Sequence, residues 1–138
     1  MRLHKYVLLV ALVVALCAVL LPLSGCSSGD GPNPFAGNYT GTYGGGSSGT
    51  WTATIAPDGG VTLHVVPSPI SGIAAFNGTG HVTRVGAANL SGSGGAVGSE
   101  FTMTWIGAFV QSGAAIHGAG TWTTNTSEVG TWSGDLVP

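Results

Sequence analysis

Thr50-Trp51-Thr52-Ala53-Thr54-Ile55-Ala56-Pro57-Asp58-Gly59-Gly60-Val61-Thr62-Leu63-His64-Val65 decides the fold. Thr50, Thr52 and Thr54 alternate with Trp51, Ala53 and Ile55, and Val61, Leu63 and Val65 alternate with Thr62 and His64. A period of two is what a strand needs when one face is buried and the other meets water. Between the two runs, Pro57-Asp58-Gly59-Gly60 supplies turn chemistry, with proline presetting φ, aspartate bonding its own backbone and glycine accepting a positive φ. The stretch is a β-hairpin.

Outward from it the same pattern recurs. Phe101, Met103 and Trp105 alternate with Thr102 and Thr104, and Gln111-Ser112-Gly113 marks a turn into a run from Ile116 to Thr123, giving a second hairpin. Further strands are expected over 38–43, 76–85, 88–93 and 129–137. That makes about eight strands at the spacing typical of sandwiches and barrels. Short connections favour a meander, because parallel crossovers need a dozen or more residues. The expected fold is all-β: a single antiparallel meander closed into a small β-barrel or packed as a β-sandwich.

The chain begins differently. Arg2, His4 and Lys5 precede an uncharged run from Tyr6 to Leu21 without Gly or Pro, and Pro22 then leads into Leu23-Ser24-Gly25-Cys26. A cationic start, an apolar run and small residues ahead of a cleavage point describe an export signal. The sixteen-residue run falls short of the roughly 20 apolar residues that span a bilayer. Leu23-Ser24-Gly25-Cys26 resembles the lipobox of bacterial lipoproteins. The resemblance implies a signal helix cleaved between Gly25 and Cys26, a thioether from the Cys26 thiol to diacylglycerol, and acylation of the new amino group. It also implies a cell-envelope location with the membrane as partner through the lipid on Cys26. The outer membrane is favoured in a two-membrane source, because Ser27 and not Asp follows the anchor.

Residues 27–34 carry no apolar run and read as a linker. The expected division is a signal peptide over 1–25, lipidated cysteine and linker over 26–34, and the β domain over 35–138. Removal of the leader leaves Arg84 as the one strong cation against Asp30, Asp58, Glu100, Glu128 and Asp135, a formal charge of −4. One arginine does not supply the clustered cations that displace counterions from phosphates, which excludes a nucleic-acid partner. Cys17 leaves with the leader and Cys26 is consumed by lipid, so the domain has no disulfide and relies on one buried core.

A short repeat runs through the domain: Gly49-Thr50-Trp51, Gly120-Thr121-Trp122 and Gly130-Thr131-Trp132, with Gly41-Thr42-Tyr43 as a looser copy. Glycine lets the backbone lie close to a neighbour, threonine suits the solvated face, and the aromatic contributes large burial. Trp51 and Ile55 share a face, so these indoles read as core. The alternative is an exposed row including Trp105, Trp122 and Trp132 that stacks sugars or an apolar ligand. Gly49-Thr50-Trp51 also resembles the Gly-x-Trp signature of lipocalins and the similar motif that opens avidin-type barrels. The resemblance covers three residues, implies a small ligand-binding barrel, and carries over no ligand residues.

Candidate chemistry is sparse. His64, His81 and His117 are enough in number for a three-histidine metal site, but each is out of step with its apolar neighbours and falls on the threonine face. No metal and no other cofactor is expected. Gly-x-Ser-x-Gly windows surround Ser27 and Ser47, the first across the processing site and the second in a glycine-rich hairpin loop, neither of them a strand-to-helix turn. No catalytic residue is assigned. The sequence reads as a non-enzymatic, lipid-anchored envelope protein of structural or partner-docking type. The alternative is a calycin-like or sandwich binding module whose exposed aromatics take a glycan or apolar ligand. A structural protein should bury every indole and offer an unpaired edge strand or an apolar patch to a protein partner.

Overall fold

A computed structural model describes residues 31–138. The expected signal peptide and lipidation site, Gly25 and Cys26, lie outside the described residues. Eight strands follow in order: β1 (Gly37–Gly45), β2 (Gly49–Ile55), β3 (Gly60–Pro67), β4 (Phe76–Val82), β5 (Ala87–Gly94), β6 (Phe101–Ser112), β7 (Ala115–Thr124) and β8 (Val129–Leu136). Each pairs antiparallel with the next, and β8 returns to pair with β1 through Tyr39↔Leu136, Gly41↔Gly134 and Tyr43↔Trp132. The meander is a closed barrel, so of the two expected architectures the barrel is the one formed. Closure leaves no edge strand among the described residues, which removes the edge that a strand-adding partner would use.

Alternation along each strand sets inside from outside. The hairpin of β2 and β3 buries Trp51, Ala53, Ile55, Val61, Leu63 and Val65, while Thr50, Thr52, Thr54, Thr62 and His64 face out. Gly59 closes it at φ 91°, with the Gly60 N–H donating to the Asp58 carboxylate at 2.8 Å. Apolar-in and threonine-out is the reverse of the alternation in barrels that cross a bilayer with their strands.

An eight-strand barrel has an interior just wide enough for side chains, and here four indoles occupy it: Trp51, Trp105, Trp122 and Trp132 are 3, 2, 0 and 4 % exposed. The indoles are core, as their phase requires, and the alternative of an exposed row of Trp105, Trp122 and Trp132 is not formed. All three occupy inward positions of β6, β7 and β8, where the pleat sends every second side chain to the core.

Glycine makes room for them. Gly41 faces Gly134 across β1 and β8 with the Trp51 ring over both, and Gly107 faces Gly120 across β6 and β7 beneath Trp132. Each of three indoles donates its N–H to a backbone carbonyl of another strand: Trp51 to Thr42 on the adjacent strand, and Trp122 to Gly44 and Trp132 to Ile106 two strands away. The Gly-Thr-aromatic repeat thus places a ring on one strand above a glycine on the next.

The two ends of the barrel differ. Turns 56–59, 83–86 and 113–114 and the entering segment lie at one end, which Phe35, Tyr39 and Phe109 fill; the Tyr39 and Phe109 rings meet edge-on at 4.9 Å. Asn33 seals this end from within the expected linker. It is 4 % exposed, its side-chain amide donates to the Val82 carbonyl at 2.7 Å, and its own carbonyl oxygen Oδ1 accepts from the Phe35 N–H at 2.9 Å. The compact unit begins at Pro32 and not at 35, because one polar side chain meets the backbone groups that the turns leave over.

Candidate functional site

At the opposite end the loops 46–48, 68–75, 95–100 and 125–128 surround a cavity of about 640 Å³. Its aromatic and apolar lining is Tyr43, Pro67, Ile73, Phe76, Phe101 and Met103, and its rim carries Ser47, Ser99, Thr124, Thr126, Glu100 and Glu128. The strands deliver these residues simply. Tyr43, Pro67 and Thr124 are the last inward positions of β1, β3 and β7, Phe76 and Phe101 are the first of β4 and β6, and Met103 is the next inward position of β6. Phe76 meets Phe101 edge-on at 5.2 Å and stacks on Trp105 at 6.2 Å, so the cavity floor is continuous with the indole core.

Tyr43 brings a polar atom to that floor. Burial pushes its phenol above the ordinary tyrosine range, a hydrogen bond from Ser47 opposes the shift, and the Glu128 carboxylate adds to it. A hydroxyl that keeps its proton at the base of an apolar cavity is a donor or acceptor available to orient a ligand. Tyr43 also packs edge-on against Trp122 at 5.8 Å, which holds the ring in place.

Charge is segregated along the barrel. Glu100 and Glu128 belong to mouth loops, whereas Arg84, Asp58 and Asp135 lie in turns or strand ends at the sealed end. The described residues contain no other Lys or Arg than Arg84. The mouth is therefore anionic without an opposing side-chain cation.

The histidines occupy the outer surface, as their phase requires. His64 bonds Asn77 at 2.8 Å, His81 meets the Asp58 carbonyl at 3.2 Å, and His117 meets the Asp135 carboxylate at 2.8 Å. That last partner is distant in sequence and comes opposite only through the β7–β8 register. Among the described residues no group of three or more His, Cys, Asp or Glu is arranged to hold a metal ion. Ser47, the center of one Gly-x-Ser-x-Gly window, lies in the β1–β2 hairpin loop.

Sequence reasoning passed over the mouth. Its residues come from four separate chain segments, and only two signals point to it: the longer loops 68–75 and 95–100, and apolar Ile70, Ile73 and Val97 lying inside them out of any strand period. The chain matches no family model, and no curated protein and no solved structure matches it.

Proposed function

We propose that the chain is a lipid-anchored bacterial envelope protein whose barrel holds a small, largely apolar ligand in its mouth. The observation that carries this reading is the cavity of about 640 Å³ floored by Tyr43, Phe76, Phe101 and Met103. Its volume falls within the roughly 300 to 1,000 Å³ of small-molecule sites, and apolar walls with a few polar groups are their usual chemistry. A sealed end and an open one suit the same use that lipocalins and streptavidin make of eight up-and-down strands.

The aromatic surface moves inward in this reading: the rings that meet the ligand are those at the cavity floor, and the indoles support them from beneath. Partner docking by strand addition finds no edge in a closed barrel. The anchor rests on Leu23-Ser24-Gly25-Cys26. The chain enters the barrel through Asn33 and Phe35 at the sealed end.

The test is a titration with N-phenylnaphthylamine, a neutral apolar fluorophore, on protein processed by a bacterial host. Saturable, blue-shifted emission is expected. It should be lost when Ala74→Trp and Ala96→Trp fill the rim at two exposed positions. Emission that rises without saturation, or survives the filled rim unchanged, refutes the cavity as the site. The anchor is tested separately by the mass of the processed N-terminus and by loss of membrane association in Cys26→Ser.

A further inference from the structure

We propose that the mouth selects an organic cation, an ammonium group carried on an apolar body. This rests on the reading of the mouth as a ligand site and adds the charge that the ligand must bear.

Two independent features of the mouth have the same electrostatic sign. The first is the pair of rim carboxylates, Glu100 and Glu128, contributed by the β5–β6 and β7–β8 loops. The second is the aromatic lining itself: Tyr43, Phe76 and Phe101 place three rings around one cavity, and ring faces attract cations through their quadrupole. Neither feature has a counterweight, because Arg84, the sole Lys or Arg among the described residues, lies in the turn between β4 and β5 at the other end. A carboxylate or phosphate ligand would meet two like charges. A neutral ligand would use the apolar floor and leave the rim idle. An ammonium ligand uses both, its body against Phe76 and Met103 and its head between the rings and the carboxylates.

The Tyr43 phenol fits the same assignment. It is buried to 5 % exposure with the Glu128 carboxylate acting on it from the adjacent β7–β8 loop. A cation seated there would lie against a neutral, electron-rich ring, in the manner of the aromatic cages that bind quaternary ammonium groups.

The experiment compares phenylbutylamine, phenylbutanol and phenylbutanoate, which share one body and differ in head-group charge, by calorimetry on the bacterially processed protein at low salt. The Met103 methyl resonance reports whether binding is in the cavity. The amine should bind about ten-fold more tightly than the alcohol, the sum expected of exposed ion pairs and ring contacts, and the acid most weakly. In Glu100→Gln/Glu128→Gln, whose changed side chains are exposed and outside the core, the amine's advantage should fall to about two- or three-fold, and salt should reduce it in the wild type as it screens the rim. Amine and alcohol binding alike in the wild type overturns the inference and leaves the apolar site standing. An amine preference that survives both glutamine substitutions unchanged also overturns it. If none of the three moves Met103, the ligand site itself falls and this inference with it.

Discussion

Replacing Gly107 by alanine tests the way the barrel is filled. The added methyl would stand 2.6 Å from Trp132 Cζ2 and 2.8 Å from the Gly120 Cα, with the Ala119 carbonyl closer still. Carbon atoms rest at about 3.5 to 4.0 Å, so roughly 1 Å must be opened on each side. Neither side yields easily. The Trp132 indole donates to the Ile106 carbonyl at 3.4 Å, meets Trp51 edge-on at 5.7 Å and packs on Phe109 at 5.8 Å, while Ala119 is held in the β6–β7 ladder. Overpacking a filled core costs about 1 to 3 kcal/mol, and with both neighbours fixed the upper end, about 3 kcal/mol, is expected. At roughly 4 to 8 °C per kcal/mol for a domain of this size, Tm should fall by roughly 12 to 24 °C. Gly44→Ala is the control: its Cβ meets nothing within 4 Å on the outer face of β1, and its φ is not positive. There the substitution should stabilise by about 0.4 to 1 kcal/mol through the unfolded chain. Urea and thermal unfolding followed by tryptophan fluorescence measures both. If Gly107→Ala lies within about 0.5 kcal/mol of wild type, the indole-over-glycine account is wrong.

Three further outcomes follow from the ends and the core. Asn33→Ala removes the partner of the Val82 carbonyl and the Phe35 N–H at a buried position, so it should destabilise by about 1 to 3 kcal/mol in the same assay; a change too small to resolve would mean the sealed end is not closed by this side chain. Burial pushes the phenols of both Tyr39 and Tyr43 above the ordinary tyrosine range. Unfolded tyrosine loses its proton first, so stability is intact below pH 10 and should decline as pH rises from there through the folded values, coincident with phenolate absorbance. Phenolate appearing near pH 10 while the protein stays folded would contradict this. Acrylamide should quench the native tryptophans weakly and those of the urea-unfolded chain strongly, since no indole exceeds 4 % exposure; one readily quenched native indole would sink the buried core.

Much of the fold is legible residue by residue. Threonine alternating with Trp51, Leu63, Met103 or Trp122 states which face each strand buries, and Pro57-Asp58-Gly59-Gly60 states where a chain reverses. The same phase places His64, His81 and His117 outside. The linker boundary was misread because Asn33 resembles any polar linker residue until its partners, far along the chain, are in place. The mouth was missed for a related reason: Tyr43, Phe76, Phe101, Glu100 and Glu128 have nothing in common along the chain and meet only because alternate strands end at the same rim. The aromatic repeat was visible, but its partners were not, since Trp51 finds Gly134 and Trp132 finds Gly107 across the closed sheet.

By itself the sequence determined strand number, order, and inside and outside, because periodicity and turn chemistry are local properties. Tertiary structure alone decided that the meander closes, which glycines of other strands lie beneath Trp51, Trp122 and Trp132, and that one end is sealed while the other opens as an anionic, aromatic mouth. Those outcomes depend on β1 meeting β8 in one register, a pairing of residues nearly a domain apart that only simultaneous burial of the whole interior selects.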